Sequence, residues 1–229
     1  MLEFNPADPF PLITNCPYDE QKAHAVRVDE WLGLQTEAVE HLLKSKTSAN
    51  KTEAEPAAGP REFWIGKPVQ TFSTPYTELR AIAEELRPRE GQTLFDLGAG
   101  YGRMAHVLAR HFPRTTFVGY EFVLERQLEA ARVIECEKLF NARVIHGDAA
   151  QIDFRIHSAD FYFMYDFGSR EDVEMCVENL KIAASTKPIT VVGRGGRSRD
   201  IVEKQHPWLS QVVSPVHRDH YSIYRSAED

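Results

Sequence analysis

Residues 93–110, TLFDLGAGYGRMAHVLAR, constrain the fold more than any other stretch of this 229-residue chain. A short apolar run, TLFDL, passes directly into a turn holding Gly98, Gly100 and Gly102, and an amphipathic segment follows. Glycine reaches backbone angles that other residues avoid and lets a neighbouring group approach the chain closely. The helix that starts beyond such a turn presents aligned, unsatisfied N–H donors. Strand, glycine turn and helix in this order predict the start of an α/β fold with a ligand at the turn.

The alternation continues downstream. Strands are predicted at 93–97, 116–120, 143–146, 161–165 and 189–192. Helices are predicted at 75–87, 102–111, 124–139, 170–183 and near 198–205, the first with a proline at its start and Leu79, Ile82, Ala83 and Leu86 on one face. Alternating elements with short connections imply a parallel sheet covered by helices on both faces. Two further strand candidates, 211–216 and 221–225, would add an antiparallel edge.

Upstream, residues 1–17 hold four prolines and no periodicity. From 18 to 46, Val28, Trp31, Leu32, Val39, Leu42 and Leu43 form one helical stripe, interrupted by Gln35. The stripe predicts a helix packed on the main domain, with a cap over the active site as the other reading. SKTSANKTEAEPAAGP, from 45 to 60, is polar and punctuated by proline and glycine, as a mobile linker would be. The expected division is a helical extension at 1–46, a linker at 47–60 and the α/β domain at 61–229.

The turn suits two ligand classes. A dinucleotide site wants G-x-G-x-x-G, whereas this chain reads G-x-G-x-G, with Arg103 where the third glycine would stand. Asp96, two residues before Gly98, is well placed for an ammonium group and poorly placed beside a pyrophosphate. Such chemistry fits the amino-acid end of S-adenosylmethionine and disfavours a nicotinamide-dependent oxidoreductase. Acids recur at the ends of the next three strands: Glu121 in FVGYE, Asp148 in VIHGDA and Asp166 in FMYDFGS. Taken one at a time these could be turn formers or helix-start acids, but the carboxyl edge of an open α/β sheet is where ligands bind.

Residues from about 74 to 193 resemble the class I S-adenosylmethionine-dependent methyltransferases, and FDLGAGYGR is similar to that family's first motif. The resemblance implies a Rossmann-like, seven-stranded, mostly parallel sheet with helices on both faces, here carrying an N-terminal helical extension. It implies that Asp96, Gly98, Ala99, Gly100 and Gly102 hold the cofactor's methionine part, that Glu121 accepts from the ribose hydroxyls, and that Asp148 and the Ala149 N–H meet the adenine. Asp166 and Phe167 would stand beside the methyl group and the substrate. Thr74-Pro75-Tyr76-Thr77-Glu78 is similar to an element of the non-SET lysine methyltransferases, which implies that Tyr76 and Glu78 close over the cofactor and that Tyr76 borders the reaction. Asp166 stands where those families have asparagine, and the fourth motif lacks the N/D-P-P-Y/F signature of many enzymes that methylate nucleic-acid amines.

The expected function is therefore S-adenosylmethionine-dependent methyl transfer to a nitrogen, on a protein lysine or a small-molecule amine. A non-catalytic cofactor-binding module acting through a partner protein is the alternative. Twenty-seven basic against 34 acidic residues leave a net charge of −7, which makes a nucleic-acid partner unlikely. The stretch 193–199, GRGGRSR, is the exception, a basic loop suited to a phosphate or carboxylate, or simply solvated. Nine histidines without ligand spacing predict no metal. Cys16, Cys136 and Cys176 lack C-x-x-C spacing, and no apolar run reaches the roughly 18–20 residues of a membrane span. The N-terminus has no basic, signal-like segment. A reduced, cytoplasmic location is expected, away from the membrane.

Overall fold

The computed structural model describes residues 2–13, 15–50, 64–151 and 158–228. Its centre is a seven-stranded sheet in the order β3-β2-β1-β4-β5-β7-β6. The strands are β1 (Thr93–Leu97), β2 (Thr116–Glu121), β3 (Ala142–His146), β4 (Phe161–Tyr165), β5 (Thr190–Arg194), β6 (Val216–His217) and β7 (Tyr221–Arg225). The first five run parallel, and β7 joins β5 antiparallel. This is the expected α/β, Rossmann-like architecture. The order reverses between β1 and β4, which opens a crevice at the carboxyl ends of the strands.

Successive strand residues alternate between two cores, the two-residue period of a sheet buried on both faces. Leu94, Phe117, Phe161 and Phe163 belong to one core, shared with α4 (Tyr76–Leu86), α5 (Arg103–His111) and α6 (Leu124–Cys136). Phe95, Val118, Tyr162 and Met164 belong to the other, under α7 (Arg170–Ala184) and α8 (Gly196–Gln205). Asp96 follows Leu94 on the first face, so it points toward α4 and α5 rather than into α7.

The N-terminal stripe is two helices, α1 (Tyr18–Leu32) and α2 (Thr36–Asn50). Gly33, with φ 73°, ends α1 in the left-handed conformation, and its N–H bonds back to Asp29 and Glu30. Of the six stripe residues, Val28, Leu32 and Leu43 are buried, whereas Trp31 and Leu42 stay more than 40% exposed. Ala25, Val28 and Leu32 share a core with Leu79 and Ile82 of α4, and α2 lies against α6. The helix runs on through 45–50, where a linker was expected, and 51–60 lie outside the described residues.

The carboxyl-terminal part departs from expectation in two places. There is no strand at 211–215: a 3-10 turn, Pro207–Leu209, precedes the short β6. The basic stretch 193–199 is not a loop either. Gly193 and Arg194 complete β5, Gly196 starts α8, and Arg194 is 2% exposed. Pairing of β5 with β7 on one side and β4 on the other carries Arg194 inside.

Candidate cofactor and active site

A cleft opens at the carboxyl ends of β1 to β4, the edge where open α/β sheets bind ligands. Its floor is the glycine turn. Gly98, Gly100 and Gly102 have φ of 88°, 55° and 71°, angles that side-chain-bearing residues rarely adopt. The turn is fastened to β2 by the Gly98 and Ala99 N–H groups, each 2.9 Å from the Tyr120 carbonyl. It lies so close to β2 that a Cβ on Gly119 would stand 2.6 Å from that of Ala99.

Asp96, Glu121 and Asp148 reach this cleft together, with Gly98, Ala99, Gly100, Ala149 and Phe167 around them. Asp96 is 4% exposed and has no side-chain hydrogen bond among the described residues. Burial, reinforced by the nearby Glu121 carboxylate, pushes its carboxyl up to about 8. Glu121 is gripped by the backbone: Gly100 N–H donates to Oε2 and Val123 N–H to Oε1, both at 2.7 Å. Burial raises this carboxyl too, opposed by the charge of Arg126 and by the two amide bonds. Asp148 accepts the Ala150 N–H at 3.0 Å in a tight local turn, so the turn-forming and site-lining readings of this residue hold at once.

Other predicted site residues lie elsewhere. Tyr76 is fully buried beneath the cleft wall, stacked on Phe10, and its hydroxyl donates to Asp29 Oδ1 at 2.8 Å. Glu78 takes the Arg194 guanidinium on both oxygens, at 2.9 and 3.1 Å. The first turn of α4 thus faces α1 and β5, and neither residue lines the cleft. Gly102 caps α5 on the far side of the turn, where a Cβ would meet Val144 at 3.2 Å. Asp166 is also turned away: its carboxylate accepts the Ser198 N–H at 2.7 Å and the Arg197 N–H at 3.3 Å, at the start of α8.

Further residues line the cleft beside the predicted ones. Arg126 of α6 lines the cleft and forms a two-pronged pair with Glu40 of α2, at 2.7 and 3.1 Å. The Tyr101 hydroxyl donates to the same Glu40 at 2.8 Å. Arg103 pairs with Asp29 of α1 inside the protein and also donates to the Thr74 carbonyl at 3.1 Å. Trp64, Phe72 and Tyr165 also line the cleft. Tyr101 and Arg103 lie within the glycine-turn motif, whereas Arg126, Trp64 and Phe72 lie outside any motif.

Residues 94–185 match the model of a family described as a methyltransferase domain. A region of 85 residues is 34% identical to ribosomal RNA small subunit methyltransferase A of Myxococcus xanthus (strain DK1622), covering 37% of this chain and 28% of that protein. Among solved structures, TrmN from Thermus thermophilus superposes with a TM-score of 0.52 at 12% identity, over 67% of this chain and 48% of that one. Precorrin-6y C5,15-methyltransferase from Geobacter metallireducens GS-15 gives 0.51 at 15% identity, over 69% and 90%. These two likenesses concern the fold. The chain spans a little over a quarter of the curated relative and about half of TrmN. Residues 94–185 are thus similar to a methyltransferase domain, in keeping with the resemblance to the class I S-adenosylmethionine-dependent methyltransferase superfamily.

The site fits the cofactor of that superfamily. A buried carboxylate without a hydrogen-bond partner among the described residues, Asp96, faces the same cleft as Glu121, whose hydrogen bonds come from two backbone amides. A cationic, hydroxyl-rich ligand satisfies both, because an ionised carboxylate is purely an acceptor with about four lone-pair directions. The departure from the dinucleotide pattern also has its reason here: Arg103 ties α5 to α1 through Asp29.

Proposed function

We propose that this chain is an S-adenosylmethionine-dependent methyltransferase acting on a nitrogen, on a protein lysine or a small-molecule amine, with 61–229 as the catalytic unit and 1–46 as its helical extension. The observation that carries the reading is the convergence of Asp96, Glu121 and Asp148 on one cleft with the glycine turn as its floor. In this reading Asp96 takes the cofactor's ammonium, Glu121 its ribose hydroxyls, and Asp148 with the Ala149 N–H its adenine. The bound cofactor supplies a methyl group on a sulfonium, which leaves as a neutral thioether after in-line attack. The chain aligns the nucleophile with that methyl and excludes water. Trp64, Phe72, Tyr165 and Phe167 line the cleft, and aromatic faces stabilise the cationic centres on both sides of the transfer.

An RNA acceptor is the second reading. The 34% match is to a protein named for methylating ribosomal RNA, so the net charge of −7 no longer makes nucleic acid unlikely. Local basic groups decide phosphate contact, and a net value averages them away. Among the described residues no helix is long and apolar enough to cross a membrane.

The test is titration of the full chain with S-adenosylhomocysteine, followed by incubation with methyl-labelled cofactor and three separate acceptor pools: extract protein, total RNA and small metabolites. Micromolar binding and label in protein or metabolites support the first reading. Label in RNA moves the second to first place. Binding without label in any pool supports a non-catalytic module, and no binding by folded protein overturns the cofactor assignment.

A further inference from the structure

Asp166 was expected to be catalytic, yet its carboxylate is committed to α8. It accepts the Ser198 and Arg197 N–H groups there, while its own N–H donates to Ser198 Oγ at 3.0 Å. The approach is so close that a Cβ on Gly195 would stand 2.2 Å from Asp166 Oδ2. Asp166 also has φ 33°. A residue other than glycine held in the left-handed region costs on the order of 1 kcal/mol or more and persists where its surroundings over-determine it. Here the surroundings are the N-terminus of α8, whose unsatisfied N–H groups receive a carboxylate from outside the helix.

What the clamp holds is the next residue. Phe167 lies on the glycine turn, its Cβ 2.9 Å from where a Gly98 Cβ would be, and it lines the cleft. Gly168, which also lines it, has its carbonyl held by the Arg197 guanidinium. We propose that Asp166 is a positioning residue: through the start of α8 it locks the turn that presses Phe167 against Gly98, and so sets the wall of the cofactor cleft beside the glycine turn. This rests on the cofactor assignment proposed above. Asp166 is then not the base for an amine acceptor.

A double-substitution cycle tests it, with S-adenosylhomocysteine as ligand and urea unfolding measured in parallel. Asp166→Ala is expected to weaken binding about tenfold, the scale of losing a charge-assisted hydrogen bond that orders the site. Asp166→Asn, which keeps one acceptor, should recover part of the loss. Phe167→Ala should weaken binding comparably, and Asp166→Ala/Phe167→Ala should be no weaker than Phe167→Ala alone, because both act through one contact. If Asp166→Ala is poorly folded, Ser198→Ala removes the Oγ acceptor alone and should show the same non-additivity at smaller size. Unchanged affinity in Asp166→Ala, or losses that simply add, overturn the proposal. Failure of the wild-type chain to bind overturns the cofactor assignment instead, so the two failures are distinguishable.

Discussion

Glu78 and Glu121 carry the same side chain and are almost equally hidden, 7% and 6% exposed, but they stand in opposite situations. Glu78, in the first turn of α4, receives a whole guanidinium from Arg194, which in turn stacks 4.0 Å over the Tyr165 ring and bonds Tyr18. Glu121, at the end of β2, takes its hydrogen bonds from two backbone amides, with the Arg126 charge also acting on it. The first is neutralised and acts as a strut between α4 and β5. The second lines a cleft, and burial raises its pKa against the pull of the Arg126 charge and the two amides. A buried carboxylate whose two oxygens are both taken by one guanidinium is a structural joint, whereas one that lines a cleft and is bonded by amides keeps lone pairs for a ligand. Asp29 with Arg103 and Glu40 with Arg126 are further joints, and Asp96 is the clearest ligand-type acid.

The largest test of this contrast is stability. Glu78→Ala leaves the Arg194 charge buried without its partner, which costs about 3–5 kcal/mol. Urea unfolding should register that loss, while S-adenosylhomocysteine affinity of the remaining folded protein stays unchanged. Replacing both partners with apolar residues, Glu78→Leu with Arg194→Met, should restore most of the stability. A stable Glu78→Ala that binds weakly would return Glu78 to the cofactor and erase the contrast.

Asp96 should behave in the opposite way. Asp96→Ala removes no ion pair among the described residues, so folding stability should not fall, whereas cofactor affinity should weaken by about 1–3 kcal/mol. The pH dependence has a definite sign. The native carboxyl titrates at about 8, the unfolded one near its ordinary value of about 3.9. Between these the native state binds more protons, so this group lowers stability as pH rises across the interval. An ammonium ligand requires the ionised form, so affinity should climb by up to about tenfold per pH unit from 6 toward 8 and level off above. Asp96→Asn should flatten both slopes. An unchanged slope in that variant would remove Asp96 from the site.

The sheet and the glycine turn were legible because their signals are local: a strand pattern, three glycines and an acid lie within ten residues. Asp96, Gly98, Ala99, Gly100, Glu121, Asp148, Ala149 and Phe167 reach one cleft for that reason. The upstream element was not legible, since its residues are defined by partners far along the chain. Glu78 meets Arg194 across 116 positions, and Arg103 meets Asp29 across 74. Nothing in PYTEL distinguishes a helix turn facing a cofactor from one facing two buried arginines. The break at Gly33 was missed for a related reason: an apolar stripe continues across a three-residue turn that happens to preserve its spacing.

Tyr76 supplies the smallest and sharpest test. Its hydroxyl donates to Asp29 Oδ1, but Asp29 also holds Arg103, so removing the hydroxyl leaves no charge unpaired. Tyr76→Phe should therefore cost only about 1 kcal/mol of stability, one net hydrogen bond. Phe10 would still stack on the ring at 5.2 Å between centroids, so the packing is preserved. Cofactor affinity should not change. If Tyr76→Phe folds normally yet weakens S-adenosylhomocysteine binding tenfold, the hydroxyl reaches the methionine end in the bound state. The first turn of α4 would then move on binding, and the division between structural joint and ligand site would hold only for the ligand-free protein.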